Sequence, residues 1–499
     1  MEIQFNCMEI PYLLPVVQRV QNLEETQELR INDGMPDIGC VLGAWGQVLL
    51  RGKEWNAGRV GVSGGVMVWA LYQPEDGGEV QCVESWVPFQ AKWDFTDTGK
   101  EGKLRASCLL NGIDVRSISA RKLMLRVGIG ISCDAGVPEK ICVPVPEEQE
   151  DIYLLRKEYP LQIPVETGEK MFTVNEEITV PGNLPGITKL LRYELRPELT
   201  DQKVLGNKAV FRGAVILHIL YLGDDGQLHS WECDLPFSQY TELDGDFSES
   251  AQASFWIAVT NLELEIGESR ILRLQGGLTA QYTIFERKIV AVPEDAYSTE
   301  MKTCLKQQTI QIPTVLDMLR KTLESDAQQT DLGIGVADVA WYPDYPEIRQ
   351  EQDHAVLELS GIRQVLYYDS EGKIQFDVRK LSENCNVSAD SNTGIMVEVS
   401  ATGKLAGTDR DRGHSVGTRV ELCFTSDFKM DAVTGLDLTE DSDSAVDGPS
   451  LILRRYNGDS LWCIAKKARS SVNAIMDAND IAGEPQKGKL LLIPVLKHL

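Results

Sequence analysis

Three stretches of the chain share one pattern, and the clearest copy reads Val210-Phe-Arg-Gly-Ala-Val-Ile-Leu-His-Ile-Leu-Tyr-Leu-Gly-Asp-Asp-Gly226. The other two copies span residues 60–77 and 357–372. Apolar residues alternate along each copy, which is typical of a strand with one buried face. The short acidic turn that ends in Gly favours a hairpin, because Gly accepts a positive φ without steric cost. Each copy therefore predicts a strand that reverses into a second strand.

A nearly fixed step separates the copies. Gly64 and Gly213 lie 149 residues apart, and Gly213 and Gly361 lie 148 residues apart. A repeat of this length indicates whole domains rather than the short units of a solenoid. Turn signals recur about every 8 to 12 residues, as in all-β domains, and few segments have the apolar periodicity of a helix. We therefore predict a mainly β fold with three tandem β-sandwich-like units at residues 29–150, 175–298 and 303–436, after an N-terminal lead at residues 1–28.

The third unit is the most divergent of the three. Its distance from Pro313 to Gly361 is 48 residues, whereas the corresponding distance is 28 residues in each of the other units. The longer segment includes Trp341-Tyr-Pro-Asp-Tyr-Pro346. An aromatic, Pro-rich insert of this kind is either a packed loop or a contact surface.

Composition and charge limit the classes of function. The 499 residues are 43% apolar and 25% charged, an ordinary balance for a soluble globular protein. The net charge of −26 argues against nucleic-acid binding, because the phosphates would be repelled.

Signals for membrane insertion or secretion are missing. No apolar stretch reaches the roughly 18 to 20 residues of a spanning helix. The first residues also lack the basic and apolar regions of a secretory leader. We therefore expect a cytoplasmic protein without a transmembrane segment.

The eleven cysteines are odd in number and include no Cys-x-x-Cys pair. Cys108 and Cys423 lie in alternating apolar stretches, where a free thiol behaves as a small buried hydrophobe. We predict reduced thiols and no zinc site, while late cross-linking on an exposed assembly stays open.

Sequence motifs for catalysis are missing. The five histidines are scattered, and no Gly-x-Ser-x-Gly, His-Glu-x-x-His or phosphate-loop motif occurs. We therefore predict no catalytic residue, no cofactor, no metal site and no enzyme activity.

The last fifty residues follow a different pattern. The acidic segment 437–450 has too little apolar content to fold, so we predict a flexible linker there. Residues 451–499 then read as strand, helix, helix and strand, with helical apolar spacing from Leu461 and a closing strand from Leu490. This segment carries eight Lys or Arg and four Asp or Glu, so its charge is +4 and that of the remainder is −30. A basic segment on an otherwise acidic chain favours binding to an acidic surface of a partner. The alternative is that the lysines only lie on the outer, solvated faces of the helices.

Residues 451–499 resemble the LysM module over their whole length. The matching residues are Gly458-Asp-Ser-Leu-Trp-Cys-Ile-Ala465, Asn479 and Gly488-Lys-Leu-Leu-Leu-Ile-Pro494. Arg455 departs from the family, which usually has an apolar residue there. The resemblance implies a small βααβ module with a shallow groove between two loops that accepts N-acetylglucosamine chains. The groove residues that it implies are Gly458, Asp459, Ser460, Leu461, Trp462, Asn479, Asp480, Ile481 and Ala482.

The three β units resemble the SPOCS domain. The likeness rests on a Pro-x-Ile triplet at residues 36–38 and 185–187, on the Gly-bearing strand that ends in Leu-Tyr, and on the acidic hairpin turn. It is good in units one and two and weaker in unit three. Three such units followed by a LysM module resemble spore-envelope morphogenetic proteins.

This second resemblance implies a non-enzymatic scaffold in spore-coat assembly. The protein would act in the mother-cell cytoplasm, on the forespore surface. Its LysM module would bind the morphogenetic ATPase that coats the forespore, and its β units would recruit coat proteins. The alternative is a peptidoglycan-binding protein of the cortex or wall, whose LysM module holds an N-acetylglucosamine polymer.

Overall fold

The computed structural model describes residues 1–147, 151–267, 270–327, 335–402, 414–439 and 450–496. Within these ranges the fold is mainly β, as the sequence predicts, and its two helices lie near the C-terminus. Neither of these helices is long and apolar enough to cross a membrane.

The first unit is built from two antiparallel sheets with the strand orders β2-β7-β6 and β3-β4-β5. A three-residue strand precedes it. The bounds are β1 (Glu2–Gln4), β2 (Asn6–Arg30), β3 (Ile38–Asn56), β4 (Arg59–Pro74), β5 (Gln81–Asp94), β6 (Lys103–Ser119) and β7 (Lys122–Val145).

The second unit repeats this plan with the sheets β8-β12-β11 and β9-β10. Its bounds are β8 (Ile152–Thr179), β9 (Ile187–Gly223), β10 (Leu228–Phe247), β11 (Gln252–Ile266) and β12 (Ile271–Ser298). The long strand β9 doubles back on itself. Gly206 takes a positive φ of 58° at its middle, and the Thr200 hydroxyl donates to the Arg212 carbonyl at 3.2 Å. The two arms of β9 therefore correspond to β3 and β4.

The third unit has one sheet in which β19 pairs with β13, β18 and β1, and another in which β16 pairs with β14, β15 and β17. Its bounds are β13 (Lys302–Ala327), β14 (Gly335–Pro343), β15 (Glu347–Gln350), β16 (His354–Tyr368), β17 (Ile374–Ser388), β18 (Gly394–Thr402) and β19 (His414–Thr439). The C-terminal segment follows with β20 (Leu451–Arg455), α1 (Leu461–Ala468), α2 (Val472–Asn479) and β21 (Leu490–Pro494).

The predicted hairpin turns are confirmed in all three units. Gly77, Gly226 and Gly372 have φ values of 75°, 75° and 77°. Each turn joins two antiparallel strands, which are β4 and β5, β9 and β10, and β16 and β17.

The Tyr of the repeated Leu-Tyr pair before the turn makes the same hydrogen bond in the first two units. The Tyr72 hydroxyl donates to the Pro36 carbonyl at 3.0 Å, and that of Tyr221 donates to the Pro185 carbonyl at 3.4 Å. The repeated Tyr thus holds the repeated Pro-x-Ile segment.

The unit boundaries differ from those that the sequence suggests. Residues 1–28 are not a separate lead, because most of β2 lies there and β2 pairs along its length with β7. The strand β1 belongs to the sheet of the third unit, where residues 2–4 pair with residues 435–437 of β19. In the second unit, β8 begins at Ile152, well before residue 175. The predicted linker at 437–450 overlaps the end of β19, and its residues 440–449 lie outside the described ranges.

The units share hydrophobic contacts instead of each enclosing its own core. One buried cluster includes Trp45 of the first unit, Phe211 of the second and Tyr342 of the third. Polar side chains cross the same boundaries. The Gln281 amide, which is fully buried, donates to the Ala106 carbonyl at 2.7 Å and accepts from the Ala106 N–H at 2.9 Å. Because buried polar groups need such partners, these bonds fix how the units meet.

Three long two-stranded ribbons, formed by the antiparallel pairs β2 with β7, β8 with β12 and β13 with β19, converge on one further cluster. We call it the triple-ribbon cluster. Its buried members are Ile10, Val143, Leu161, Ile163, Val290, Val292, Ile310, Ile312, Met430 and Ala432. A one-residue bulge follows the cluster in the first strand of every ribbon, between Pro15 and Val17, at Val165, and between Val315 and Asp317. Equivalent positions of the repeat therefore meet around a common centre.

A buried charged cluster joins the second and third units. The Arg192 guanidinium donates to Asp338 Oδ2 at 2.6 Å, and His218 Nε2 lies 2.8 Å from Asp338 Oδ1. His218 Nδ1 lies 3.4 Å from Glu232 Oε1. Both His218 and Asp338 are fully buried. Burial alone lowers the pKa of His218, but the Asp338 and Glu232 carboxylates raise it to about 9 in the folded protein.

The cysteines are not all free thiols, which corrects the sequence-based expectation. Cys7 and Cys142 form a disulfide between β2 and β7. The remaining nine cysteines are free, and Cys40, Cys304 and Cys463 among them are exposed. Burial raises the pKa of the Cys108 and Cys423 thiols to about 12, as suits inert packing residues.

The charged cluster predicts a loss of stability at alkaline pH. The folded-state pKa of His218 is raised above the unfolded value of 6.5, so its stabilisation is fully present below pH 6.5 and is lost as the pH rises through about 9. The loss should not exceed about 3.5 kcal/mol, at about 1.4 kcal/mol per pH unit. Chemical unfolding of the native chain and of His218→Gln at pH 6, 7.5 and 9.5 measures it. An equally steep decline in both proteins would contradict the role of His218.

A second prediction concerns the repeated strand glycine. A Cβ on Gly213 would collide with the Glu198 carbonyl oxygen on the facing arm of β9 and with the Phe237 ring. We expect Gly213→Ala to lower the free energy of unfolding by about 1 to 3 kcal/mol or more, because the backbone arms must separate. Gly182→Ala is the matched control, since nothing lies within 4 Å of its added Cβ. Thermal melting compares the two, and equal melting temperatures would refute the close approach.

Candidate functional site

The C-terminal segment folds as the strand, helix, helix and strand that its pattern predicts. The strands β20 and β21 pair antiparallel, and Leu461, Ile464 and Ile475 of the helices pack with Leu491 and Ile493 of β21. Ser460 caps α1 by accepting from the Cys463 N–H at 3.2 Å. Ser471 caps α2 by accepting from the Ala474 N–H at 3.0 Å. Capping, together with packing of one apolar face of each helix against β21, thus stabilises both helices.

Five of the nine predicted groove residues lie in the loop before α1 and at the start of this helix. Gly458 takes a positive φ of 100°, and Gly458, Asp459 and Ser460 are exposed. Asp459 pairs with Arg454 at 2.5 Å. Leu461 is only 4% exposed, so its side chain belongs to the core of the segment and not to a groove surface. Trp462 is half-buried, and its indole N–H donates to Asp295, outside the segment.

The other four predicted residues are Asn479, the last residue of α2, and the three residues that follow it. The Asn479 amide donates to the Ile475 carbonyl at 2.7 Å and to the Leu492 carbonyl at 2.6 Å, and its Oδ1 accepts from the Leu492 N–H at 2.8 Å. Asn479 therefore ties α2 to β21. Asp480 caps the helix with a positive φ of 48° and is exposed, as is Ala482, whereas Ile481 is half-buried against the core of the segment.

The two loops meet through Glu484, a residue that the sequence reasoning missed. Glu484 Oε1 accepts from the Leu461 N–H at 3.2 Å, at the start of α1, and Oε2 accepts from the Tyr456 hydroxyl at 2.5 Å. This bond raises the pKa of Tyr456, because it stabilises the neutral phenol beside the carboxylate. A lone Glu between Gly and Pro carries no motif, so only the fold reveals its role.

The segment also rests against the second β unit. Trp462 Nε1 donates to Asp295 Oδ2 at 2.7 Å, and Lys466 Nζ lies 2.6 Å from Asp295 Oδ1. The Trp462 and Tyr297 rings lie edge to face, with their centroids 4.8 Å apart. The Tyr297 hydroxyl donates to the Ser470 carbonyl at 2.7 Å. Of the predicted groove residues, the structure therefore assigns Trp462 to a contact with the body of the same chain.

An apolar face of the segment is open to solvent. Leu451 and Leu453 of β20 and Leu490 and Leu492 of β21 are 52%, 62%, 52% and 39% exposed. Leu453 stands opposite Leu492 in the strand register, so the four side chains form one patch. Alternation along both strands predicts that one face is buried against the helices and that the other is outward.

A cavity of about 920 Å³ lies where the three β units meet. Pro15, Pro164 and Val315, which adjoin the three bulges, line it, and so do Arg105 and Glu398. The Arg105 guanidinium pairs with Glu398 at 2.5 Å and donates to the Thr283 hydroxyl at 3.2 Å. The buried guanidinium is thus neutralised by the protein itself. The sequence could not indicate this cavity, because its lining residues come from many segments spread over all three units.

The hydrogen bonds of Asn479 yield a prediction. Replacing Asn479 with Ala removes one hydrogen bond within α2 and two between α2 and β21, which should destabilise the segment by about 1 to 3 kcal/mol. Hydrogen exchange of the β21 amides in the full chain measures the effect. Asn473→Ala, at an exposed position of the same helix, is the control. Unchanged exchange in Asn479→Ala would show that the amide does not hold the strand.

Comparison with known proteins gives one result. A family model described as SipL, SPOCS domain, matches residues 186–266. The match spans β9, β10 and β11 of the second unit, including the strand that ends in Leu220-Tyr221 and the turn at Gly226. No curated protein and no solved structure matches the chain. The protein therefore contains a SPOCS domain at residues 186–266.

Proposed function

We propose that this protein is a non-enzymatic scaffold of spore-envelope assembly, built from three SPOCS-like β-sandwich units and one LysM module. The observation that carries the proposal is the SPOCS domain at residues 186–266, which indicates a sporulation-associated protein. The strand pairing of this unit recurs in the first and third units, which supports a threefold body.

The C-terminal module is the docking element in this proposal. Its strand order, its two capped helices and its paired terminal strands suit a LysM module. It combines a charge of +4 with an exposed patch of four leucines, whereas the rest of the chain carries −30. Apolar area with a basic surround suits an acidic protein partner, because charge steers the encounter and apolar burial supplies affinity. The proposed partner is the morphogenetic ATPase on the forespore surface, with coat proteins bound by the β units.

A scaffold role also suits the shared contacts between the units. Buried bonds such as those of Gln281 and Arg192 hold the three units as one body. A rigid body with a separate docking element presents several weak binding surfaces at once, so their affinities combine through effective concentration. The location that fits this role is the mother-cell side of the forespore surface.

The second candidate function is binding of peptidoglycan. It is favoured by the exposed residues Gly458, Asp459 and Ser460 before α1 and by Asp480 and Ala482 after α2. Small side chains and free backbone groups at such loops suit the amide and hydroxyl groups of an N-acetylglucosamine chain.

A pair of substitutions in the full chain separates the two functions. Leu453→Glu places a charge in the leucine patch and should weaken binding of the forespore ATPase at least tenfold, about 1.4 kcal/mol. Ala482→Trp fills the groove and should leave ATPase binding within twofold. Surface plasmon resonance with the purified ATPase measures both, after melting curves show that both variants fold.

Sedimentation with insoluble peptidoglycan is the parallel assay. Retention of the native chain on peptidoglycan, abolished by Ala482→Trp, together with no ATPase binding would replace the scaffold proposal with the glycan-binding one.

A further inference from the structure

The contact between the C-terminal module and the second unit is formed by a short strand segment, Asp295-Ala-Tyr297, which we call the latch segment. Both carboxylate oxygens of Asp295 are engaged, one by the Trp462 indole at 2.7 Å and one by the Lys466 ammonium at 2.6 Å. Tyr297 is 3% exposed and forms part of the hydrophobic cluster of the module. Tyr153 stacks on it from β8, with the ring centroids 5.3 Å apart.

The geometry matches that of a built recognition site. A carboxylate that accepts from two donors, one of them charged, makes stronger hydrogen bonds than a neutral pair. The edge-to-face rings add directional contact, and the Tyr297 hydroxyl finds its partner in the Ser470 carbonyl. One face of α1 thus binds a carboxylate and an aromatic ring that lie two residues apart on a strand. This face is formed by Trp462 and Lys466, with Ser470 just beyond the end of the helix.

The position of the latch segment in the repeat is informative. It follows a bulge of β12 at Glu294, and the corresponding bulge of β19 at Thr434 is followed by Gly435-Leu-Asp437. In the third unit, β1 pairs with these three residues. Among the described strands, β8 is the sole partner of Asp295–Ser298, so the other side of this segment is a strand edge. In the third unit β1 pairs with the backbone of the corresponding segment, whereas in the second unit the module contacts the side chains of Asp295 and Tyr297.

We propose that the Trp462 face of α1 is a protein-binding surface, that it fits a strand bearing a carboxylate two residues before an aromatic ring, and that the latch segment occupies it as an internal competitor. A partner with this strand chemistry reaches Trp462 only when the module leaves the second unit. This inference rests on the proposed role of the module as the docking element, and it adds the chemistry of the partner and the closed state that the partner must open.

Because the latch segment is part of the same chain as the module, it competes strongly with an external strand for the Trp462 face. A tethered segment acts at an effective concentration of the order of millimolar. An external strand of the same chemistry therefore binds the closed chain much more weakly than an opened one. The ratio of its dissociation constants for the native and opened chains reports the strength of the latch.

The test uses the full chain and a fluorescein-labelled peptide with the sequence of residues 292–299, Val-Pro-Glu-Asp-Ala-Tyr-Ser-Thr. Asp295→Ala opens the latch by removing the acceptor of Trp462 and Lys466 without altering the module. We expect the peptide to bind this variant at least tenfold more tightly than the native chain, by fluorescence anisotropy. Asp234→Ala, at an exposed aspartate of β10, is the matched control and should bind as the native chain does.

Hydrogen exchange supplies an independent readout that needs no partner. Asp295→Ala should speed exchange of the amides in α1, and Tyr297→Phe, which removes only the bond to Ser470, should do so to a smaller extent. A peptide with Ala in place of both its Asp and its Tyr should not bind. Equal peptide affinity in the native and Asp295→Ala chains, binding of the doubly replaced peptide, or displacement of the module by N-acetylglucosamine hexamer and not by peptide would each overturn the proposal.

The outcomes remain distinguishable from those of the proposed function. Opening of the latch and peptide binding without any ATPase affinity would refute the ATPase as partner while leaving the latch in place. ATPase affinity that is equal in the native and Asp295→Ala chains would refute the latch alone.

Discussion

The convergence of the three long ribbons on the triple-ribbon cluster is the constraint on which the rest of the structure depends. Residues such as Ile10, Leu161 and Ile312 come from different repeats, yet they bury one another. None of the ribbons can bury this face alone, because a two-stranded ribbon leaves both faces in water. The repeat therefore does more than duplicate a domain. Each copy supplies one side of a common core, and the unit interfaces and the central cavity follow from that arrangement.

Polar groups then make the arrangement specific. Apolar side chains can pack in several relative positions of the units. The hydrogen bonds of Arg192 with Asp338 and of Gln281 with Ala106, in contrast, are formed in only one relative position. A buried charge that lost its partner would cost several kcal/mol, so misdocked units are strongly disfavoured. The same reasoning explains why Asp295 holds the module in one orientation, since its two acceptor oxygens fit two donors at fixed positions on α1.

Much of the fold could be predicted from the sequence, because its determinants are local. Alternation and acidic Gly turns predicted the hairpins that end at Gly77, Gly226 and Gly372, and capping serines predicted the two helices. The contribution of residues 1–28 could not be predicted, since β2 pairs with a strand more than a hundred residues away. In the candidate site, the loop glycine and Asn479 carried a family pattern, but Glu484 and the role of Trp462 depend on tertiary neighbours that no local pattern encodes.

The pairing of β1 with β19 has a consequence for how the protein is made. The Met1 amino group donates to the Leu438 carbonyl, a contact that spans 437 residues of sequence. A ribosome adds about 5 to 20 residues per second, so the N-terminal strand emerges long before its partner exists. The cluster that the first two ribbons share with the third also lacks its last side until then. Packing of the common core is therefore completed only after translation of the third repeat.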